Sequence, residues 1–339
     1  MEDGIVKVVI ESKIPFIRGV LEPVADVEYV APNDITASTV AGADVLIVRT
    51  RTRCDAALLE GSSVKWIGTA TIGTDHIDAD YCKLRGIKVV NAPGCNAPAV
   101  AQYVSAALKS LIPGGFERKK IGVVGVGHVG RIVAEWAGNV GMDVLKCDPP
   151  RARVEGCAEF VSLAQIAADC DVITFHLPLT TVGTDATFHL VGSQLYAQCR
   201  RAPIIINAAR GAVLDTQSTV DAIDSGLISG AVIDCWEGEP NVNRSLLQRA
   251  TIATPHIAGY SLQGKQRATM MIVREFAREF GFDADLLSGL PFEITPAIDS
   301  TVVSTNFADY DIMADDRAFR AAPHLFESLR NNYNYRSEY

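Results

Sequence analysis

The feature that most constrains the fold is a series of short, uninterrupted apolar runs rich in β-branched residues. Amphipathic segments separate these runs, which are VKVVI, DVLIVR, VKWIG, IKVVN, IGVVGVG, DVLKCD, DVITFHL, PIIINAA, GAVID and ATIATPH. A strand buried on both faces of a parallel sheet needs continuous apolar residues, whereas a half-exposed strand alternates. Strands of this kind separated by helical segments predict an α/β fold with doubly wound parallel sheets.

The runs fall into two groups, one before about Asn91 and one from Ile121 to His256. The segment APGCNAPAVAQYVSAALKSL between them predicts a connecting helix, because Asn96 can cap it and proline at position 98 is tolerated in a first turn. A second amphipathic helix, QGKQRATMMIVREFAREFG, could return the chain to the first group. From Leu287 the sequence becomes Pro-containing, then strand-like and helical, as in FEITPAID, STVVSTNF and ESLRNNY.

We therefore expect two Rossmann-like or flavodoxin-like lobes with parallel sheets. The first is expected to comprise residues 1–96 and 265–286, and the second residues 97–264. Residues 287–339 are expected to form a small α+β C-terminal region.

Composition argues against several classes of partner. The chain has 339 residues and a net charge of −9 without any run of Lys or Arg, so nucleic acid is an improbable ligand. The N-terminus lacks the order of a signal peptide, and no apolar run is long enough to span a bilayer. The eight cysteines show neither a CxxC pair nor a zinc-type histidine spacing. We expect reduced thiols, no metal, no membrane and a cytoplasmic setting.

A glycine motif follows one of the apolar runs. In KKIGVVGVGHVGR the glycines come directly after a predicted strand and before the helical RIVAEWAGNVG. Such glycines allow a tight turn, a close approach of the backbone to a pyrophosphate and close packing of the helix on the sheet. The motif predicts a dinucleotide site at Gly125, Gly127, His128, Val129 and Gly130. A glycine-rich turn that binds nothing is the alternative.

The next predicted strand, DVLKCD, ends in Asp148. A carboxylate there can accept hydrogen bonds from the adenosine ribose hydroxyls and repel a 2′-phosphate, which favours NAD over NADP. Arg151, three residues later, weakens this preference, and Asp148 could be an ordinary acid at a strand end.

Ionisable residues follow three later strands. PIIINAARG contains Arg210, AVIDCWEGEP contains Asp234, Glu237 and Glu239, and ATIATPH ends in His256. The carboxyl ends of parallel strands meet at the edge of the sheet where ligands bind. A guanidinium can clamp a carboxylate, an imidazole can exchange a proton near neutral pH, and a carboxylate can orient the imidazole. This set suits the oxidation of a secondary alcohol in a molecule that carries a carboxylate.

Three alternatives remain open from the residues alone. Spacing does not choose between Glu237 and Glu239 as the partner of the imidazole. Arg210 could simply pair with Asp215, and a histidine after a strand is often an ordinary surface or core residue.

The segments GVVGVGHVGR, TFHLPLT, NAARGAVLD, DCWEGEP and TPHIAGYS occur in this order and resemble the signature motifs of the D-isomer-specific 2-hydroxyacid dehydrogenases. The resemblance covers most of residues 40–275. It implies that Arg210, Glu239 and His256 are the catalytic residues, with Glu239 fixed by the pair it forms with Pro240 and His256 as the proton acceptor. It also implies that residues 97–264 bind NAD as the cofactor, contacted by Asp234 near the nicotinamide, and that residues 1–96 and 265–286 bind the substrate.

Other segments resemble more closely one branch of this family that acts on a phosphorylated 2-hydroxy acid. They are VRTRTR, GTATIGTDHID, NAPGCNA, CDPPRA and HIAGYSLQGK, with YDIMADDRAFR and FESLRNNY in the C-terminal region. This resemblance implies that Thr50, Thr71 and Tyr260 contact the substrate and that Gly259 lies by the cofactor. It also implies that the C-terminal region forms a homodimer.

The residues of these segments also allow readings of their own. Backbone N–H groups near Gly73 can bind a carboxylate, and Arg49, Arg51 and Arg53 can supply charge for a phosphate. Arg51 and Arg53 are equally interpretable as solvated loop charges, and His76 as a loop-packing residue. Two further functions stay open: another substrate, such as 3-phosphoglycerate, or a non-catalytic NAD(H)-sensing role.

Overall fold

The computed structural model describes residues 5–156, 158–295, 298 and 304–339. The strands are β1 (Val6–Glu11), β2 (Ala25–Val30), β3 (Val45–Val48), β4 (Trp66–Thr69), β5 (Lys88–Val90), β6 (Lys120–Val124), β7 (Asp143–Cys147), β8 (Val172–Phe175), β9 (Ile204–Asn207), β10 (Gly230–Ile233) and β11 (Ile252–Ala253). The helices are α1 (Ala37–Val40), α2 (Ala56–Leu59), α3 (Ala79–Leu84), α4 (Ala97–Leu111), α5 (His128–Asn139), α6 (Pro149–Glu155), α7 (Leu163–Asp169), α8 (Ser193–Tyr196), α9 (Thr216–Asp224), α10 (Arg244–Arg249), α11 (Leu262–Phe280), α12 (Ile312–Ala321) and α13 (Phe326–Asn331). Single 3-10 turns lie at Pro32–Asp34, Gly211–Val213, Ala284–Gly289 and Pro323–Leu325.

The chain forms two compact units. Unit 1 comprises Met1–Asn96 and Ser261–Val303, and unit 2 comprises Ala97–Tyr260 and Ser304–Tyr339. Residues 287–303, expected in a separate C-terminal region, therefore group with unit 1, whereas residues 304–339 group with unit 2. The functions expected of these parts of the chain remain predictions.

Unit 1 contains a five-stranded parallel sheet with the order β2-β1-β3-β4-β5. Strands β3 and β4 are buried along their whole length, as their continuous apolar sequence predicted. On one face Ile10, Ile47 and Trp66 pack in a cluster with Ile272 and Phe276 of α11. The opposite face contributes to a second cluster with side chains of α2 and α3. The sheet thus has apolar cores on both faces.

Strand β2 was not predicted from the sequence. Its residues, ADVEYV, alternate in burial and include two acidic side chains on an edge of the sheet. A strand exposed on one face needs only a few apolar residues, so it lacks the continuous run that identified the others. Charged side chains on such an edge also discourage pairing with another chain.

Unit 2 contains a six-stranded parallel sheet with the order β11-β10-β9-β8-β6-β7. Its strands β8, β9 and β10 are almost entirely buried. Each apolar run identified in the sequence overlaps one strand of the structure. Together, the two parallel sheets with their helices confirm the predicted α/β fold class.

The C-terminal region packs on unit 2 through α12. The Asp316 carboxylate accepts the N–H of Ala253 in edge strand β11 at 2.7 Å, and Arg320 donates to the Ala250 carbonyl at 2.6 Å. Phe319 lies in the core cluster of the unit. The edge strand is therefore covered by a helix that also accepts one of its backbone N–H groups.

Strand character was expected in FEITPAID and STVVSTNF. Positions 292–295 form no strand, and most of the remainder lies outside the described residues.

Two findings bear on the expected setting of the protein. No helix within the described residues is long and apolar enough to cross a membrane. The cysteines at positions 54, 82, 95, 147, 170, 199 and 235 are all free thiols, and six of them are buried. Burial raises the pKa of the Cys147 thiol to about 11, so this group is uncharged near neutral pH.

Candidate active site

The strand order of unit 2 defines where its functional loops meet. β6 lies between β7 and β8, so the chain reverses its direction of travel across the sheet between β6 and β8. All strands are parallel, and the loops after their carboxyl ends lie at one edge of the sheet. Ligands of open α/β sheets bind at this edge, next to such a reversal.

The glycine motif forms the loop from β6 to α5. Gly125 has φ of 85°, and a β-carbon there would lie 2.5 Å from the carbonyl oxygen of His176 in the loop after β8. A β-carbon at Gly130 would lie 2.0 Å from the carbonyl oxygen of Gly125. Gly127 precedes the first turn of α5 without a side-chain cap. The N–H groups at this helix start therefore have no intrahelical acceptor and can bind an anion.

Asp148 lies beside this loop. One carboxylate oxygen accepts the N–H of Val126 at 2.8 Å, and the other accepts the N–H of Arg151 at 3.1 Å and caps α6. The Arg151 guanidinium donates to the Val126 carbonyl at 2.6 Å and pairs with Glu155. Each carboxylate oxygen keeps further acceptor capacity, so Asp148 can still receive a ribose hydroxyl.

The loop after β9 carries Arg210. Asn207, the last residue of β9, is buried, and its side-chain amide donates to the Arg210 carbonyl at 3.0 Å. The Asn207 side-chain oxygen accepts the N–H of Ala209 at 3.2 Å. The Arg210 guanidinium donates to the Ala209 carbonyl at 2.9 Å. The backbone that presents the guanidinium is therefore fixed by a strand-end asparagine.

Asp234, directly after β10, holds the loop that contains His256. Its side chain is only 1% exposed and accepts three hydrogen bonds, from the Thr254 hydroxyl at 2.7 Å, the Ile257 N–H at 2.8 Å and the Ala258 N–H at 2.9 Å. Burial raises the pKa of this carboxyl, although the hydrogen bonds act in the opposite direction. Asp234 thus organises the backbone around the histidine.

His256 and Glu239 form a hydrogen-bonded pair. Nδ1 of His256 lies 2.8 Å from Oε2 of Glu239, and Oε1 of Glu239 accepts the N–H of Trp236 at 2.7 Å. His256 has φ of 55°, in the left-handed region, and its N–H donates to the Asp234 carbonyl at 2.8 Å. The imidazole is 32% exposed, so a bound molecule can reach it.

The surroundings set the protonation of this pair. Burial lowers the pKa of His256, but the adjacent Cys235 and Glu239 outweigh it and hold the pKa well above its ordinary value. Burial raises the pKa of Glu239, yet the partner imidazole and the Trp236 N–H bring it below its usual value. The Cys235 sulfur, a carboxylate oxygen of Glu239 and a ring nitrogen of His256 all lie within 4.8 Å of one another. The carboxylate is therefore charged and favours an imidazole that binds protons more tightly than usual.

The structure distinguishes the two glutamates that spacing left open. Glu237 contacts a different histidine: its Oε1 lies 2.6 Å from Nε2 of His189, and its Oε2 accepts the Thr216 hydroxyl at 2.7 Å. Among the carboxylates of the sequence DCWEGEP, Glu239 is the hydrogen-bond partner of His256.

Tyr260 and Gly259 follow the histidine in the same loop. The Tyr260 ring packs edge-on against Tyr333 and Tyr335, with centroid distances of 6.0 and 6.3 Å. The Arg330 guanidinium lies 6.0 Å above the same ring. The C-terminal tail therefore forms part of the surroundings of this loop.

The remaining predicted residues lie in unit 1, at the carboxyl ends of its strands. Thr50 is exposed, and the Thr71 hydroxyl donates to the Gly73 carbonyl at 3.1 Å. Arg49 forms an ion pair with the fully buried Glu11 at 2.6 Å. The charge of Arg49 is therefore already matched by a carboxylate.

Two other unit 1 side chains have structural partners. The exposed Arg53 pairs with Asp55 at 2.7 Å. Nε2 of His76 lies 3.2 Å from the Thr69 hydroxyl, and burial lowers the pKa of this imidazole. These contacts fit the alternative interpretation of Arg53 and His76 as loop residues.

Comparison with known proteins agrees with this geometry. The family described as "D-isomer specific 2-hydroxyacid dehydrogenase, NAD binding domain" matches residues 101–258. An erythronate-4-phosphate dehydrogenase of Bacteroides thetaiotaomicron is 45% identical over 98% of this chain and 97% of its own. Another of that name, from Porphyromonas gingivalis, is 43% identical over 98% of this chain and 93% of its own. This chain belongs to the D-isomer-specific 2-hydroxyacid dehydrogenases.

The fold of this 2-hydroxyacid dehydrogenase also matches solved structures. A cofactor (NAD+)-bound 3-phosphoglycerate dehydrogenase of Entamoeba histolytica gives a TM-score of 0.70, covering 86% of this chain and 100% of that chain. At 23% identity the likeness shows the shared fold alone. The matched domain is the NAD-binding domain of the family, so NAD is the cofactor of this dehydrogenase.

The residues present fit NAD. A β-carbon at Gly127 would meet nothing within 4 Å, so the bare backbone at the start of α5 leaves room for the close approach that a pyrophosphate requires. Asp148 adds an acceptor suited to a ribose diol at the end of β7. The dehydrogenase therefore has the loop, the helix start and the acid of a dinucleotide site in one place.

Some supporting residues of the dehydrogenase site were not singled out in the sequence. Asn207 holds the Arg210 loop, Trp236 donates its indole N–H to the Thr254 carbonyl at 2.8 Å, and Cys235 lies beside the imidazole. Asn207 carries a recognisable signal, because it is a polar residue at the end of a buried strand. Trp236 and Cys235 could be recognised only from contacts between loops.

Proposed function

We propose that this dehydrogenase oxidises the 2-hydroxyl of 4-phospho-D-erythronate with NAD, giving (R)-3-hydroxy-2-oxo-4-phosphooxybutanoate, a step of pyridoxal 5′-phosphate (vitamin B6) biosynthesis. The observation that carries the chemistry is the hydrogen bond of 2.8 Å between His256 and the charged Glu239. The substrate is inferred from the name of relatives that are 45% and 43% identical over nearly the whole chain.

The proton of the substrate hydroxyl moves to His256. Glu239 occupies Nδ1, so Nε2 is the ring nitrogen that receives the proton in oxidation and returns it in reduction. The carboxylate favours the imidazolium that forms. Arg210 binds the substrate carboxylate through its guanidinium, which suits bidentate recognition of such a group. When bound, NAD+ accepts the hydride from the carbon that carries the hydroxyl.

We assign the cofactor to residues of unit 2. The backbone of the glycine loop would hold the pyrophosphate, Asp148 would accept hydrogen bonds from the ribose diol, and Asp234 and Gly259 would contact the nicotinamide end of the cofactor. The loop residues are Gly125, Gly127, His128, Val129 and Gly130. Asp234 is largely committed to the backbone of Ile257 and Ala258, so its contact with the cofactor would use its remaining acceptor capacity.

Substrate contacts are assigned to Thr50, Thr71 and Tyr260. Their hydroxyls can donate to carboxylate or phosphate oxygens as well as accept from the sugar-acid hydroxyls. The exposed position of Thr50 agrees with this role, and the Thr71 hydroxyl is held by the Gly73 carbonyl.

Measuring NADH formation tests the proposed function. The expected result is turnover of 4-phospho-D-erythronate well above that of 3-phosphoglycerate, with loss of about a hundred- to ten-thousandfold in kcat for His256→Ala. NAD affinity should change little in this variant. Equal turnover of both acids would contradict the assignment of 4-phospho-D-erythronate as the specific substrate. Full kcat in His256→Ala would contradict the assignment of His256 as the proton acceptor.

A non-catalytic NAD(H)-sensing protein gives a different result. It would bind NADH and capture partner proteins without turning over any 2-hydroxy acid. The partly exposed imidazole next to a charged carboxylate favours the enzyme.

We further propose a homodimer as the assembly and the cytoplasm as its location. The dimer is inferred from the resemblance of the C-terminal region to that of the relatives. Light scattering after size exclusion measures the mass in solution, and a monomer of 36.4 kDa would contradict this assignment.

A further inference from the structure

The guanidinium of Arg336, near the C-terminus, donates to four backbone carbonyls as well as to the side chains of Gln102 and Tyr333. Nη1 donates to the carbonyls of Ile257 at 3.1 Å and Tyr260 at 2.9 Å. Nη2 donates to the carbonyl of Ala258 and, at 3.0 Å, to that of Ala99 in α4. Three of these acceptors belong to the loop that follows His256.

Arg336 and Asp234 hold the same two residues, Ile257 and Ala258, through opposite backbone groups. The N–H groups of Ile257 and Ala258 donate to the Asp234 carboxylate. Their carbonyl groups accept from Arg336. The segment directly after His256 is therefore fixed on both its donor and its acceptor side.

The orientation of the guanidinium is set by α4 and the C-terminal region. Oε1 of the buried Gln102 accepts Nε of Arg336 at 2.9 Å, and Nε2 of Gln102 donates to the carbonyl of Ser337 at 2.8 Å. The Tyr310 ring lies 4.3 Å from the guanidinium carbon. A planar group with five donors, stacked on a ring, loses little freedom when it binds several carbonyls together.

We propose that Arg336 is a positioning residue that holds the His256 loop in the geometry needed for proton transfer. This inference rests on the proposed function. It makes the C-terminal tail a support of the active-site loop, with Gln102 aligning the guanidinium. A displacement of about 1 Å of a reacting group can cost about a hundredfold in rate, so the loss of this support should be visible in catalysis.

The test uses the full-length protein with Arg336→Ala, Arg336→Lys and a control, Arg317→Ala. Arg317 is an exposed arginine of α12, and its ion pair within the described residues is with Asp311, at 3.5 Å. Arg336→Ala should lower kcat by about ten- to a hundredfold while KM for NAD stays within about twofold. Arg336→Lys should lower kcat less than Arg336→Ala does, because an ammonium can still donate to some of the carbonyls. It should not match the wild type, because it reaches fewer of them than the guanidinium does. Arg317→Ala should match the wild type.

Two readouts separate positioning from general destabilisation. Added guanidinium ion should restore part of the kcat of Arg336→Ala, whereas methylammonium should not. The acid limb of the pH profile of kcat/KM for oxidation should move to lower pH, because a displaced His256 loses the contact with Glu239 that raises its pKa.

Hydrogen exchange gives a measurement that needs no activity. In Arg336→Ala the amides of Ile257 and Ala258 should exchange faster than in the wild type, with α5 unchanged. Wild-type kcat and pH profile in Arg336→Ala would overturn the inference, as would unchanged exchange at these two amides. Failure of the wild type to turn over any 2-hydroxy acid would count against the proposed function, and exchange would still decide the role of Arg336.

A second variant covers the case in which Arg336→Ala does not fold. Gln102→Met removes the acceptor that aligns the guanidinium but keeps the volume of the side chain. It should lower kcat in the same way and move the acid limb in the same direction. A folded Gln102→Met with a wild-type profile would contradict the inference.

Discussion

Gly211 lies directly against the backbone of Trp236: a β-carbon at position 211 would be 2.0 Å from the Trp236 carbonyl oxygen and 2.5 Å from the N of Glu237. This contact joins the loop that carries Arg210 to the loop that carries Glu239. Both atoms belong to backbone, so a side chain at position 211 cannot be accommodated by a change of rotamer. The separation of the Arg210 loop from the Glu239 loop is therefore set by one missing side chain.

We predict that Gly211→Ala separates these loops and impairs substrate binding and turnover together. A shift of about 1 Å in either loop should reduce kcat/KM by about a hundredfold. Steady-state kinetics in the oxidation direction measures this effect. Gly138→Ala in α5 is the matched control, because a β-carbon there meets nothing within 4 Å. Equal kinetics for the two alanine variants would show that the close contact is unimportant.

The charge of Glu239 is predicted to control the pH dependence of oxidation. In the proposed mechanism oxidation needs neutral His256. The pKa of His256 is held well above its ordinary value, so kcat/KM should rise as pH increases through that raised pKa. Glu239→Gln keeps an acceptor for Nδ1 but removes the negative charge. The pKa should fall, and the acid limb should move to lower pH. The pH profile of kcat/KM measures this shift.

Glu237→Gln is the control for that experiment. Glu237 has the same chemistry and lies two residues away, but it contacts His189 and Thr216 instead. The acid limb of the kcat/KM profile of Glu237→Gln should coincide with that of the wild type. A shift of equal size in both variants would mean that the pH dependence reflects the general charge of the loop.

Cofactor binding is predicted to depend on the close contact inside the glycine loop. Gly130→Ala would place a β-carbon 2.0 Å from the Gly125 carbonyl oxygen, so the loop must open. The Kd for NADH, measured by fluorescence, should rise by at least about tenfold, which corresponds to about 1.4 kcal/mol. Hydrogen exchange at Ile257 and Ala258 should stay at the wild-type level. Unchanged NADH affinity would exclude this loop as the pyrophosphate site.

Covering of the edge strand β11 is predicted to matter for stability. Asp316→Ala removes the acceptor for the Ala253 N–H and the partner of Arg320. A buried donor without an acceptor costs about 1–3 kcal/mol, so the urea midpoint should fall measurably. Asp221→Ala on the exposed face of α9 should change the midpoint little, since surface substitutions are usually within about 0.5 kcal/mol. Matching midpoints for the two variants would argue that α12 does not stabilise the sheet.

The sequence carried enough information for the buried strands, for the glycine loop and for the types of chemistry at the strand ends. Continuous apolar runs are typical of strands that are buried on both faces of a parallel sheet. Glycines such as Gly125 and Gly130 are needed where two stretches of backbone come into close contact. Strand β2 was missed because a half-exposed edge strand carries a weak pattern. Both the strands that were predicted and the strand that was missed depend on short stretches of sequence, because a hydrophobic pattern spans only a few residues along the chain.

Only the tertiary structure decided which side chains meet. Glu237 and Glu239 are two residues apart and chemically identical, yet contacts with His189 and His256 give them different partners. Arg336 reaches the His256 loop across some eighty intervening residues, and no spacing in the sequence predicts that contact. Amino-acid type fixes what a group can do, but pKa, hydrogen-bond partners and orientation depend on neighbours that are brought together by packing. Such neighbours are distant in sequence, so the fold alone determines them.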